Sequence, residues 1–304
     1  MAPILTESAD ARFVEIDALP AESALAVLWE SQLAAVAAVG PALPAIAAAA
    51  RAAAARLTVG GRLVYTGAGT SGRIAVQDGA ELWPTFGWPE ARLLLLPAGG
   101  SRALLHAIES AEDDAEAAAA AVGNNAIGGP DVVVGVAASG TTPYTLRLLR
   151  RARETGALTI GIANSAGTPV LAAAEYPILA ETGAEAIAGS TRLKAATAQK
   201  VILNLFSTQL MILLNRVFSG RMVDLEITSA KLRERAMRII GELAGVKETE
   251  AETLLSAANG SVKRALLLAQ GLQPAAAQRL LERHRGNLRA AFAELGVTPI
   301  PKRP

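Results

Sequence analysis

Arg62-Leu-Val-Tyr-Thr-Gly-Ala-Gly-Thr-Ser-Gly-Arg73 passes from a run of strand-forming residues into a loop of glycines and hydroxyls. The same plan returns where Asp131-Val-Val-Val-Gly-Val136 leads into Ala138-Ser-Gly-Thr-Thr-Pro-Tyr144. Each stretch reads as a strand, a tight loop and the start of a helix. A helix N-terminus offers unpaired backbone N–H groups and the positive end of a dipole, so each turn is a candidate anion site. Gly69, Thr70 and Ser71 in the first loop, and Ser139, Gly140, Thr141 and Thr142 in the second, suit a phosphate monoester, whose oxygens all need donors. Helix capping and turn-making explain one such loop well and two poorly.

The first loop also satisfies G-x-G-x-x-G, a weak signal for dinucleotide binding on its own. That reading requires an acidic side chain about 20 residues on, at the end of the second strand. The second strand here is Arg92-Leu-Leu-Leu-Leu96, and it runs into Pro97-Ala-Gly-Gly100 without a carboxylate. A small phosphorylated ligand fits better than a dinucleotide.

Around these loops, strand signals recur at 62–66, 92–96, 131–136, 157–162 and 176–179, separated by stretches of helical period. Such alternation predicts an α/β fold in which a parallel sheet is covered on both faces. Ligands bind such sheets outside the carboxyl ends of the strands, where both loops fall. Residues 21–57 read as helical with a break at Gly40-Pro41 and Pro44, and a long helix is expected from the Gly189-Ser-Thr segment to about Val217. Ser190 or Thr191 can cap that helix and add a third set of donors. From about Glu242 the pattern changes to short amphipathic helices near 247–257, 260–269, 274–284 and 286–294. The predicted boundary separates a domain at 1–241, with an N-terminal helical extension, from a small all-helical domain at 242–304 with a packing or assembly role.

Composition narrows the chemistry. Lys and Arg number 29 against 28 Asp and Glu, so nothing points to nucleic acid or an acidic membrane. There is no cysteine, and His106 and His284 are the only histidines, which argues against a metal site or a thiolate nucleophile. No cofactor is expected, and chemistry rests on carboxylates, hydroxyls, lysines and backbone dipoles. Much of the 51% hydrophobic content is alanine. The apolar stretch Val201–Leu214 carries Asn204, Ser207, Thr208 and Gln209 and is shorter than the roughly 20 residues a span needs, so it reads as a buried helix. The opening Met1-Ala-Pro-Ile-Leu-Thr-Glu7 does not read as a secretory signal, and a cytoplasmic location is expected.

The string Gly67-Ala-Gly-Thr-Ser-Gly-Arg73, then Asp78-Gly-Ala-Glu81 and Pro84-Thr85, resembles the sugar isomerase (SIS) domain family and, within it, the N-acetylmuramic acid 6-phosphate etherases. The resemblance continues through Ala98-Gly-Gly100, Glu109-Ser-Ala-Glu-Asp113, Ala138–Tyr144, Gly183-Ala-Glu185 and Gly189–Lys200, and it includes Leu5-Thr-Glu7 and Ile16-Asp17. The pattern departs from the family at Gly79-Ala80 and Leu82-Trp83, where Ala-Ser and Cys-Pro are usual, and at Ser8-Ala9 in place of Asn-Pro. The resemblance implies an SIS-type three-layer αβα sandwich on a five-stranded parallel sheet, followed by the small helical bundle, in a homodimer.

It also implies the activity. Etherases of this family cleave the D-lactyl ether of N-acetylmuramic acid 6-phosphate by elimination and rehydration, giving N-acetylglucosamine 6-phosphate and D-lactate in cell-wall sugar recycling. The two family carboxylates match Glu81 and Glu112. By resemblance Glu81 is the acid that protonates the departing lactate oxygen and later activates water, while Glu112 removes the C2 proton or orients the sugar. Glu109 accompanies Glu112 at the sugar. Ser190 and Lys194 are further binding candidates, with Arg192 beside them, and Glu185 stands behind that set. Trp83 and Trp88 flank the Glu81 region and are candidates for an apolar wall. An unbroken helix from Ser71 places Glu81 roughly 15 Å from the phosphate end, at about 1.5 Å per residue. Either Gly79 bends or ends that helix, or Glu81 serves a site shared with a second subunit. An aldose-ketose isomerase and a non-catalytic sugar-phosphate-responsive regulator remain open, with Glu81 favouring the enzyme.

Overall fold

The computed structural model describes residues 5–297. The first four and last seven residues, including part of the stretch read for a leader and the end of the expected 242–304 domain, lie outside the described residues. Along the chain the helices and strands are α1 (Ala21–Ala37), α2 (Leu43–Thr58), β1 (Leu63–Gly67), α3 (Gly69–Ala80), α4 (Leu82–Phe86), β2 (Leu93–Pro97), α5 (Ala115–Asn124), β3 (Val132–Ala137), α6 (Pro143–Glu154) and β4 (Leu158–Ala163). They continue with α7 (Pro169–Ala173), β5 (Tyr176–Leu179), α8 (Lys194–Leu213), β6 (Val217–Phe218), β7 (Arg221–Met222), α9 (Ala230–Ala244), α10 (Glu248–Ala257), α11 (Val262–Leu268), α12 (Pro274–Arg283) and α13 (Leu288–Glu294).

Contacts divide the chain into two units, residues 5–80 with 90–210, and residues 81–89 with 211–297. In the first, five parallel strands lie in the order β2-β1-β3-β4-β5. Every residue of β1, β3 and β4 is buried, which is why these strands read as near-continuous apolar runs rather than alternating ones. Val64, Val133 and Ala137 face a core shared with Ala118 and Val122 of α5, Leu148 and Leu149 of α6 and Val170 of α7. The other face is covered by α2 and α3, whose Gly79 sits so close to Tyr65 and Leu95 that a Cβ there would collide. These layers form the SIS-type α/β sandwich. Arg62 and Asp131 pin the entry to the two central strands: the Arg62 N–H and Nε donate to Asp131 Oδ1 at 2.9 and 3.1 Å, and Nη2 donates to Oδ2 at 2.7 Å.

The apolar stretch long enough to cross a membrane is Ala21–Thr58 rather than Val201–Leu214. It is broken by a tight turn at Gly40–Ala42 into helices of 17 and 16 residues, each shorter than a typical span. α2 turns Ile46, Ala49, Ala50, Ala53 and Leu57 inward. α8 buries Ile202, Leu203, Phe206, Leu210 and Met211, as a buried helix should, while Leu205 and Ile212 are exposed. That helix stops at Leu213, short of Val217, where Asn215 takes a left-handed φ of 61°.

The second unit has its own core, in which Phe218, Val223 and Leu225 pack with Ala236, Ile239 and Ile240 of α9 and with Leu255, Leu266, Leu280 and Phe292 of the later helices. α9 and the β6–β7 hairpin pack in this core, so the contact-defined unit takes in residues from 211 onward. The four C-terminal helices fall within a few residues of their predicted places.

Candidate active site

The strand order reverses direction between β1 and β3, which lie side by side with Gly67 opposite Val136. At such a switch point the loops leaving two neighbouring strands diverge to opposite faces and open a crevice at their carboxyl ends. Here the diverging loops are the two glycine-hydroxyl segments. Close packing explains the glycines: a Cβ on Gly72 would come within 2.5 Å of the Gly67 carbonyl oxygen, so only glycine lets α3 approach β1 this closely. Gly140 adopts φ +70°, and a Cβ there would meet Thr168 Oγ1 at 2.1 Å.

The two loops line one hollow of about 300 Å³. Gly69, Thr70 and Ser71 come from the first loop, Ser139, Thr141 and Thr142 from the second, and Glu112, Asp113, Glu7 and Thr191 from segments beside them. Ser139 Oγ and Thr141 Oγ1 stand 2.9 Å apart, and the Thr141 N–H donates to Ser139 Oγ at 3.2 Å. Thr142 occupies the capping position of α6 without making a side-chain cap. The hydroxyls of this loop are therefore not consumed by helix capping.

The N-terminus of α6 is less open than the sequence suggests. Pro143 has no N–H, and the Tyr144 N–H donates to the Glu112 carbonyl oxygen at 2.9 Å. The expected crown of free backbone donors is thus partly missing, and what replaces it is a tether that sets Glu112 beside the hydroxyl loop. Burial raises the Tyr144 phenol above its ordinary value, and the nearby Asp114 charge adds to the effect.

A second hollow, of about 290 Å³, shares Ala68, Gly69, Thr70 and Glu112 with the first and adds Arg73, His106, Glu109 and Ser110. The acidic cluster at 109–114 is thereby divided by role. Glu109 and Glu112 face the hollows, while Asp114 caps α5 by accepting the Ala117 N–H at 2.8 Å. No cluster of three His, Cys, Asp or Glu side chains suited to a metal occurs among the described residues.

Lys194, Ser190 and Glu185 do not line the hollow. Lys194 is buried, and its Nζ donates to the Thr182 carbonyl oxygen at 2.8 Å. Burial pushes its ammonium pKa down, and the Glu185 charge opposes that shift. Glu185 accepts the N–H groups of Lys194 and Ala195 at 2.8 and 2.9 Å, so it, and not Ser190 or Thr191, caps α8. The helix starts later than the Ser-Thr pair because this buried carboxylate satisfies its first donors. Thr191 does reach the hollow.

Glu81 is exposed, directly after the last residue of α3, and it lines neither hollow. α3 runs through Gly79 to Ala80 without a break. Asp78, near its end, is buried, and it accepts from Tyr65 Oη at 3.0 Å, Asn204 Nδ2 at 2.7 Å and Ser207 Oγ at 3.2 Å. Burial raises its carboxyl above the ordinary range, and these three bonds and the Lys200 charge limit the rise. Nothing in the sequence marked this network beyond the Asp78-Gly-Ala-Glu81 string.

A cavity of about 710 Å³ belongs to the second unit and is lined by Gly87, Arg216, Asp224, Glu226, Arg233 and Arg264 among others. Arg216 donates to the carbonyl oxygens of Phe86 and Gly87 at 2.7 Å and lies over the buried Trp88 ring. Lys263 Nζ pairs with Asp224 at 2.6 Å. These charges hold the 81–89 segment and α11 within the unit.

Residues 45–153 match the glucokinase regulatory protein N-terminal SIS domain family, and residues 114–213 match the SIS domain family. A phosphoheptose isomerase structure from Francisella tularensis is similar in fold, with a TM-score of 0.50 and 20% identity over 64% of this chain and 100% of that one. The N-acetylmuramic acid 6-phosphate etherase of Deinococcus radiodurans is 46% identical over 293 residues, covering 96% of each chain. That of Salmonella schwarzengrund is 42% identical over 290 residues, covering 95% of this chain and 98% of the relative. Agreement of this depth along nearly the whole length joins the hydroxyl-lined crevice to one lineage: the chain belongs to the N-acetylmuramic acid 6-phosphate etherase family.

Proposed function

We propose that this protein cleaves the D-lactyl ether of N-acetylmuramic acid 6-phosphate to N-acetylglucosamine 6-phosphate and D-lactate, acting in the cytoplasm in cell-wall sugar recycling. The observation that carries this reading is the convergence of Ser71, Ser139, Thr141 and Thr142 with Glu112 in one hollow at the switch point of the sheet. The hydroxyls bind the 6-phosphate, and Glu112 faces the sugar.

An ether resists direct displacement, but in the open-chain sugar the C3–O bond lies β to the C1 aldehyde. The C2 proton is then acidic enough for a carboxylate to remove. Glu112 takes that proton, a C2–C3 double bond forms, and the C3–O pair leaves on the lactyl oxygen, which receives a proton from Glu81. Water then adds at C3, giving its proton to the Glu81 carboxylate, and C2 is reprotonated.

The acid role asks for a carboxyl in a partly apolar, enclosed setting, and Glu81 is exposed in the single chain. We infer a homodimer in which Glu81 serves the hollow of the second copy. Support comes from α1, where Leu25, Trp29, Leu33 and Val36 recur at helical spacing and stand 65, 62, 50 and 47% exposed. An apolar stripe of this kind marks a surface that another protein covers.

The test is lactate release from N-acetylmuramic acid 6-phosphate beside the unphosphorylated sugar. Release confined to the phosphorylated compound is expected. Tight sugar-phosphate binding with no lactate from either compound would contradict the enzyme and favour a regulator.

A further inference from the structure

The two joined hollows are acidic, lined by Glu7, Glu109, Glu112 and Asp113, and Arg73 is their one permanently cationic side chain among the described residues. Arg73 lies on α3 three residues after Thr70, on the same helical face, and Thr70 lines both hollows. Its guanidinium is held by Nε donating to the Ala103 carbonyl oxygen at 3.0 Å and Nη2 to that of His106 at 3.3 Å. It is half-buried, no carboxylate lies within ion-pair distance among the described residues, and Nη1 makes no hydrogen bond there. Bracing the 101–106 loop accounts for Nε and Nη2. It does not account for a half-buried guanidinium left without an ion pair in a hollow that also holds Glu109 and Glu112.

A plain sugar phosphate brings one anion, which the loop hydroxyls meet in the reading above. The substrate read above carries, besides its phosphate, the lactyl carboxylate, and an acidic hollow would repel it. We propose that Arg73 binds the lactyl carboxylate and is the residue that makes this hollow select a sugar ether acid over a simple hexosamine phosphate. A guanidinium pre-oriented by two carbonyls suits a planar carboxylate better than a lysine would, because its donors are fixed in a fork. Lying one helical turn beyond the phosphate loop, it lets the anion at C6 and the anion at C3 anchor the sugar at two points. The inference rests on the etherase reading and adds a specificity determinant to it.

Two ligands separate this role from a structural one, since N-acetylglucosamine 6-phosphate has the phosphate but lacks the carboxylate. In Arg73→Gln the KM for N-acetylmuramic acid 6-phosphate should rise about tenfold or more, while the inhibition constant of N-acetylglucosamine 6-phosphate stays within about twofold. Arg73→Lys should fall between wild type and Gln. A substrate whose lactyl carboxylate is converted to an amide should bind wild type as weakly as the acid binds Arg73→Gln, and that variant should no longer tell acid from amide. Equal loss of both sugar phosphates would assign Arg73 to the phosphate or to the fold and overturn the proposal, as would no change in either. If wild type releases no lactate, the etherase reading falls. Calorimetric comparison of the two ligands still decides Arg73, with a preference for the carboxylate-bearing sugar expected in wild type and lost in Arg73→Gln.

Discussion

The carbonyl oxygen of Glu112 accepts the N–H of Tyr144 at 2.9 Å, so the residue opposite the hydroxyl loop is fixed through its backbone to the first turn of the helix that follows that loop. Its side chain stays available to the hollow while its main chain cannot drift. Positioning by main chain is compatible with the proton-moving role proposed for this carboxylate, whose side chain makes no hydrogen bond or ion pair among the described residues. Glu112→Gln should therefore keep the fold and sugar-phosphate affinity while slowing C2 proton exchange and lactate release by the ~10²–10⁴ of general base catalysis. An unchanged exchange rate in this variant would remove Glu112 from the chemistry.

Ser139 and Thr141 both line the hollow, with their hydroxyl oxygens 2.9 Å apart. Replacement of Ser139 by alanine deletes one charge-assisted bond to phosphate, about 1.5–3 kcal/mol, and affinity for the phosphorylated sugar should fall on the order of tenfold to a hundredfold. Calorimetry reads this directly, and equal weakening for the unphosphorylated sugar would mean that Ser139 does not serve the phosphate.

The Arg62–Asp131 pair gives a pH signature. Burial raises the Asp131 carboxyl, but the bonds from the Arg62 side chain and from the Arg62 and Gly128 N–H groups outweigh it and hold the pKa below the usual carboxylate range. A depressed folded-state pKa contributes stability that is present above the unfolded value near 3.9 and is lost as pH falls through the folded one. Asp131→Asn should lower stability at neutral pH by about 2 kcal/mol, at the low end for such pairs because Arg62 is partly exposed. The gap to wild type should narrow in acid below pH ~4. A gap independent of pH would contradict the assignment.

Shared catalysis is tested by mixing. Glu81→Gln and Ser139→Ala lesions placed in different chains should partly restore activity in exchanged dimers if each hollow takes its acid from the other copy. Full exchange of subunits without any rescue, or a fully active monomer, would contradict the arrangement.

Much of this was legible in the sequence because the relevant signals are local. Buried parallel strands read as apolar runs, and the five predicted strands lie within a residue of those observed. Gly67, Gly72 and Gly140 stand where a backbone approach or a positive φ demands glycine, so the loops were readable too. What failed depends on partners distant in sequence. Glu185 caps α8 from nine residues away and displaced the Ser190–Thr191 pair from that part. Lys194 reads equally as a ligand cation or a structural one in the sequence, and only the fold shows its ammonium donating to the Thr182 carbonyl oxygen. Arg73 stands within the loop motif itself, but its lack of an acidic partner among the described residues is visible only in three dimensions. The grouping of α9 with the later helices is not legible in the sequence, because α9 is amphipathic in either assignment and only its core partners decide.

The central claim is that the ether is broken by elimination across C2 and C3 followed by hydration. Running the reaction in heavy-oxygen deuterium oxide tests it most directly. Elimination and hydration should give N-acetylglucosamine 6-phosphate with solvent oxygen at C3 and deuterium at C2, whereas a product that keeps its C2 hydrogen and the substrate's original C3 oxygen would contradict that route.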